Sequence, residues 1–277
     1  MDPDGRTIMT KARRTNRALP ADAKWTAILG IAVVGIVAFW QLAVTRLELV
    51  PAAFLPPPTA VAAAFTELVT RAEFWSALLF SLQNLAIGLV AAVVVGVVAG
   101  LAVGWFPVLH FTVAPFLWLL YSTPKVALAP LFILVLGLGN SSKIALVFLL
   151  AVFPILLNTM EGVETVSPSL VRAGRVFGFH GVALGAKIIL PSTLPFSLAG
   201  IQRGAALGFT GAVLGEFLGG AGGLGHMLER AAFDFRMDEA LAIVLVMVVI
   251  ANGLLLAISG ARRRWAPWYS GSVSAVS

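Results

Sequence analysis

The residues able to do chemistry are few and scattered. Lys125 and Glu216 are ionisable groups within or close to apolar stretches. A charge at the centre of a bilayer costs roughly 2.5–3.5 kcal/mol on insertion scales, so such a group normally faces water or protein. Lys125 follows Pro124, with Ser122 and Thr123 just before it. A proline inside an apolar run breaks the helix, and membrane helices break only toward protein or a water-filled cavity. Lys125 therefore either lines or gates a passage and favours anions, or snorkels to the nearer interface. Counted at 1.5 Å per residue from Gly139, it falls toward the cytoplasmic side of the membrane core. The hydroxyls of Ser122 and Thr123 either meet a solute or satisfy carbonyls freed by the proline. Glu216 is either a gate or partner contact, or an acid hydrogen-bonded within a helix bundle.

Other chemistries lack their residues. The chain has no cysteine, so disulfides, thiol nucleophiles and Cys-based metal sites are excluded. The phosphate-binding pattern G-x-x-x-x-G-K-[ST] does not occur. Gly220–Gly225 satisfies G-x-G-x-x-G, but it follows an apolar span with no strand before it and reads as a turn. His110, His180 and His226 are far apart, and His226 with Glu229 makes only two ligands of a metal set. No carboxylate pair lies within a span. The expectation is a non-catalytic chain that binds no cofactor or metal.

Long apolar elements must position these residues. Of the 277 residues, 59% are hydrophobic and 12% charged. A soluble domain carries roughly 25% charge, so this chain cannot cover a water-facing surface of its size. That excludes a soluble enzyme or nucleic-acid-binding domain, although the net charge is +6. The class is all-α, a polytopic membrane protein. Runs of about 20 apolar residues mark its spans: 25–44, 77–105, a broken span within 106–139, then 143–160, 195–218 and 240–259. Six spans put Arg6–Lys24, Arg172–Lys187 and Arg262–Arg264 on one side, and these three regions hold 12 of the 19 basic residues. Positive-inside then puts both termini in the cytoplasm. Residues 1–24 read as a flexible basic tail, 25–260 as the transmembrane domain, and 261–277 as a second tail. Gly96, Gly100 and Gly104 form a stripe along which another helix of the same chain can pack closely.

The connection 161–194 is too polar to span and too long for a tight turn. Ser167 before Pro168 fits an N-cap followed by proline at the first helical position. An amphipathic run reaches Leu190, and Gly178 and Gly181 divide it into two short helices. Pro191 and Pro195 punctuate entry into the fifth span. Such an element, projecting on the cytoplasmic face, is a docking surface.

Arg172-Ala173-Gly174, three residues, Gly178, nine residues and Ile188-x-Leu190-Pro191 together resemble the EAA loop of ABC-importer permeases. The family pattern is Glu-Ala-Ala-x3-Gly-x9-Ile-x-Leu-Pro. Spacing matches throughout; Arg172 stands for Glu and Gly174 for Ala. The likeness continues in Phe54–Pro58, in Pro124, Ala127 and Pro130-Leu131, and in Gly137–Gly139 with Ser142-Lys143. It also includes Phe153-Pro154-Ile155, Asn158-Thr159, Glu216, Gly223–Gly225 and Arg262–Arg264 before Trp265 and Trp268. These are similar to the branch serving sulfonates, taurine and nitrate. Asn84 is a departure, at a position where that branch often has arginine.

The resemblance implies a type I ABC importer permease fold in a bacterial inner membrane. Two permease subunits, a homodimer, would form the pathway for a small anion. A cytosolic ATPase dimer holding ATP and Mg²⁺ would dock on Arg172, Ala173, Gly174, Arg175, Gly178, Ile188, Leu190 and Pro191. A periplasmic or lipid-anchored binding protein would deliver the solute, with Ser122, Pro124, Lys125 and Glu216 along the pathway or its gate. Related systems also carry heterocyclic vitamin precursors. The competing class is an ion-coupled secondary transporter, which needs an ionisable site near the midplane. Only Glu216 could serve, off-centre and without an internal repeat. Partners are then protein and lipid, not nucleic acid.

Overall fold

The computed structural model describes residues 21–220 and 222–265. In chain order the helices are α1 (Ala21–Thr45), α2 (Pro58–Leu68), α3 (Ala72–Trp105), α4 (Pro107–Ser122), α5 (Ala129–Leu136) and α6 (Asn140–Glu164). They are followed by α7 (Pro168–Val176), α8 (Gly181–Leu184), α9 (Leu190–Gly219), α10 (Leu224–Phe233) and α11 (Met237–Trp265). Among the described residues, five helices are long and apolar enough to cross a membrane. The pair α4 and α5, bent by 81° at the break, makes the sixth crossing. The six expected spans are thus recovered, the five unbroken ones longer by a few residues than hydropathy alone delimits and the broken one a little shorter.

The tails differ from expectation where they can be seen. α1 begins at Ala21 and α11 runs through Arg262–Arg264 to Trp265. Arginine and lysine are good helix formers, so a helix does not stop where apolarity stops. Residues 1–20 and 266–277, with the rest of the expected tails, lie outside the described residues.

α6 is the central helix, packed by α3 on one side and α9 on another. Gly96, Gly100 and Gly104 of α3 face Ile155, Thr159 and Val163 of α6, so the stripe serves packing within the chain. Because Gly88 meets Val147 and Gly104 meets Val163, the two helices run in the same direction. On the other side Gly200 meets Asn158 and Gly215 meets Lys143, so α9 runs antiparallel to α6. Without side chains in the way, backbones approach closely and gain dispersion contacts that lipid cannot replace. A Cβ at Gly100 would stand 2.6 Å from the Leu156 carbonyl and 2.7 Å from Thr159 Cβ. Gly100→Val is therefore expected to destabilise the bundle by about 1–3 kcal/mol. The midpoint of thermal unfolding in detergent checks it.

One end of the bundle carries α7 and α8; there His110 Nδ1 meets Glu164 at 3.0 Å, joining the start of α4 to the end of α6. The opposite end is closed by α2 and α10. Leu68, Phe74, Leu224, Ala231 and Ile243 are buried together there. Around them Arg71 pairs with Glu67 at 2.6 Å and with Glu239 at 3.0 Å, linking α2 to α11. The Arg71 hydrogen bond holds the Glu67 carboxyl below the usual carboxylate range.

Candidate functional site

The break in the third span is a helix C-terminus inside the membrane, and side chains cap it. Ser122 Oγ donates to the Trp118 carbonyl at 2.9 Å and Thr123 Oγ1 to that of Leu119 at 3.1 Å. Lys125 Nζ donates to Tyr121 O at 2.6 Å, Leu120 O at 3.2 Å and Thr123 O at 3.4 Å. These carbonyls belong to the end of α4, where helical pairing runs out before the proline, although Leu120 O also accepts from the Thr123 N–H. The ammonium also sits at the negative end of the α4 dipole. It lies 4.9 Å from the centre of the Tyr121 ring and 5.0 Å from that of Phe153. Phe153 is midway along α6, so Lys125 stands near mid-depth rather than toward one side of the core. Rise counted along a straight helix misplaces it because the chain turns through 81°.

Glu216 lies on α9 at the end opposite α7 and is only 1% exposed. Its Oε2 accepts from Ser81 Oγ at 2.8 Å and from the Gly225 N–H at 2.9 Å. Ser81 Oγ in turn accepts from the Leu224 N–H at 2.9 Å. Two side chains from α3 and α9 thus cap the first turn of α10, where amide groups point out unpaired. The glycine-rich turn makes this possible. Gly223 has φ +97°, and a Cβ there would strike the Glu216 carboxylate. A Cβ at Gly225 would stand 2.6 Å from the Val213 carbonyl. Lys143, fully buried beside this cluster, donates instead to Leu138 O at 2.8 Å and Gly139 O at 3.3 Å. It holds the turn between α5 and α6. Asn84 is 1% exposed, and its amide makes no hydrogen bond among the described residues; nothing in the structure explains it.

α7 is a short helix on the polar connection. Pro168 starts it, and Ser167 at the N-cap bonds Ser169 Oγ at 2.6 Å rather than the backbone. It ends in a Schellman turn. Gly178, at φ +83°, donates to Arg175 O, and the Phe179 N–H donates to Gly174 O. Gly174 is buried against Ile188 and Leu184, which fastens α7 to the start of α9. Arg172, Ala173 and Arg175 are exposed, as are Val176 and Phe177. The second short helix is not separate. α8 passes through one π turn (Gly185–Ile189) into α9, with Leu190 and Pro191 opening that helix and Pro195 inside it. Pro191 stands in the first turn of α9, directly after the π turn, where proline is tolerated, and the helix also continues through Pro195. Trp105 at the end of α3 covers Gly185. The polar connection is correspondingly shorter than 161–194, because Glu161–Glu164 belong to α6.

Residues 92–270 match the model of the binding-protein-dependent transport system inner membrane component family. The chain belongs to that family. The permease is 30% identical to the taurine transport system permease protein of Escherichia coli (strain K12) over 266 residues, 93% of this chain and 95% of that one. It is 31% identical to a putative aliphatic sulfonates transport permease protein of Bacillus subtilis (strain 168), covering 78% of each chain. It is also 31% identical to the riboflavin transport system permease protein of Chloroflexus aurantiacus, covering 84% of this chain and 89% of that one. It is thus a multi-pass inner-membrane component of a binding-protein-dependent ABC importer, as the resemblance implies, and not an ion-coupled carrier.

The permease keeps its expected site residues in three separate places: the bend at mid-depth, the clasp at one end and α7 at the other. Sequence reasoning missed Arg203, midway along α9, whose NH1 donates to Asn158 Oδ1 at 3.1 Å. The signal was available, since Arg203 is the sole basic residue of its apolar run.

Proposed function

We propose that the permease carries a small organic anion, a sulfonate such as taurine, into the cell. It acts with a second copy of itself. The ATPase dimer, which holds ATP and Mg²⁺, docks on α7, and the chain itself is non-catalytic. A periplasmic or lipid-anchored protein hands over the solute. α7 and both termini face the cytoplasm, in keeping with Arg172, Arg175 and Lys187 at the α7 end.

The observation that carries this reading is α7. It is exposed, and no acid within the described residues pairs with Arg172 or Arg175. Gly174 locks it to the span it must move. A rigid helix so fastened transmits closure of a partner into displacement of α9. The substrate class rests on the likeness to taurine and sulfonate permeases. The test is uptake of radiolabelled taurine by proteoliposomes holding the assembled transporter. Accumulation only with ATP on the α7 side is expected; ATP-independent uptake that an uncoupler abolishes would sink the reading.

Ser122, Pro124 and Lys125 shape the bend beside the pathway, and Lys125 lends it positive charge. Lys125→Gln is expected to lower taurine uptake about tenfold or more, matching loss of one charge-assisted contact. Lys125→Arg should retain most of it. Equal uptake by Lys125→Gln and the unmodified protein would remove Lys125 from the pathway.

A further inference from the structure

Arg203 is the fourteenth of the thirty residues of α9, at the centre of a span. It is exposed, on a stripe with Ala206, Leu207 and Thr210 at helical spacing. A guanidinium at that depth does not face lipid; it faces water or protein. Among the described residues its hydrogen-bond partner is a neutral amide, Asn158 Oδ1 at 3.1 Å. Asn158 Nδ2 donates in turn to the Pro154 carbonyl at 2.7 Å, which orients the amide oxygen toward the arginine. One N–H of the fork is therefore used, and the others are available for a planar or tetrahedral oxyanion.

No carboxylate balances the charge. Arg71, Arg230 and Arg236 each reach an acid at the end opposite α7, whereas Arg203 forms no ion pair within the described residues. Glu216, the acid of α9, is thirteen residues further on, about 20 Å along the axis. Glu161, a turn beyond Asn158 on α6, lines a pocket against α4 with His110 and Trp118.

A second cation stands at the same depth. Lys125 Nζ lies 5.0 Å from the Phe153 ring, and its hydrogen bonds go to carbonyls alone. Phe153 adjoins Pro154, the residue that orients Asn158. Both cations thus lie against the middle of α6, Lys125 at Phe153 and Arg203 at Asn158, five residues apart and on different sides of that helix.

We propose that Arg203, oriented by Asn158 and assisted by the field of Lys125, is the station where the anionic group of the solute rests in mid-crossing. The ligand class is a small oxyanion head group, a sulfonate by preference. This rests on the anionic-substrate reading above. Arg203 contacts the ligand, and Asn158 is a positioning residue.

The experiment is radiolabelled taurine uptake by the assembled transporter in proteoliposomes, with co-purification of the ATPase as the control for folding. Arg203→Gln is expected to lower uptake at least about tenfold, and Arg203→Lys to recover part of the loss. Asn158→Asp keeps the arginine but supplies a carboxylate beside it, and should lower uptake comparably. Uptake at the unmodified rate by Arg203→Gln overturns the station. If Arg203→Gln fails to assemble, Asn158→Asp decides, and undiminished uptake by that variant overturns the proposal. Failure of the unmodified transporter to move taurine or ethanesulfonate overturns the substrate reading itself, and the station with it.

Discussion

Gly174→Val should abolish ATP-driven uptake while leaving the six spans folded. Gly174 is the one buried residue of α7, and a Cβ there would strike Ile188 Cδ1 and stand 2.9 Å from Leu184 Cδ1. Relief requires the Ile188 and Leu184 side chains to repack or α7 to swing away from the start of α9, and either loosens the joint between them. Strain from overpacking of this kind is about 1–3 kcal/mol, enough to detach a nine-residue helix but not a transmembrane bundle. Co-purification of the ATPase is expected to fall at least about tenfold, the equivalent of about 1.4 kcal/mol of docking energy. The thermal midpoint of the bundle should hardly change. Arg175→Glu separates geometry from charge: it leaves the packing untouched and reverses an exposed cation. It should also weaken docking, with a strong salt dependence. Normal ATPase co-purification by both variants would place the docking surface elsewhere.

The parts of this fold legible in the sequence are those with local causes. A run of apolar residues makes a span by itself, and Pro124 between Ser122 and Lys125 announces a break by its missing N–H. Gly178 announces the end of α7 because a Schellman turn needs a residue at positive φ. The continuity of α8 with α9 was not legible in the same way. Gly181, Pro191 and Pro195 all read as breakers, yet Trp105 packs over Gly185, a π turn joins α8 to α9, and Pro191 falls in the first turn after it. Tertiary contact overrides propensity there.

Arg203 shows another limit. Hydropathy windows average a single arginine into its apolar neighbours, so the span is found and the charge is overlooked. The role of Gly220–Gly225 was hidden for a different reason. As a phosphate-loop pattern it is empty; its purpose is visible only once Glu216 is seen reaching the Gly225 N–H from α9. Ser81 joins from α3, 135 residues before Glu216 in the chain, and no local pattern could pair them.

Glu216 is consequently the residue whose removal should cost the most stability. It is buried, so it is no docking contact for an external protein, and its Oε2 alone ties α3, α9 and α10 together, Oε1 having no hydrogen-bond partner among the described residues. Glu216→Ala would leave the Gly225 N–H and the Ser81 hydroxyl without their acceptor, and Lys143 without the nearest acid. Stranding buried polar groups costs about 1–3 kcal/mol each, and two are stranded here. The expected loss is about 2–6 kcal/mol, measured as a lowered unfolding midpoint in detergent. Glu216→Gln keeps an acceptor for Gly225 and should lose less than Glu216→Ala. Gly223→Ala offers an independent route to the same damage, because its Cβ would push the carboxylate away and strain the backbone at φ +97°. If both act through the clasp, combining Gly223→Ala with Glu216→Ala should cost less than the sum of the two. Additive losses would mean that the glycine and the carboxylate stabilise the bundle separately. Unchanged stability in Glu216→Ala would mean that α10 holds its position without the cap.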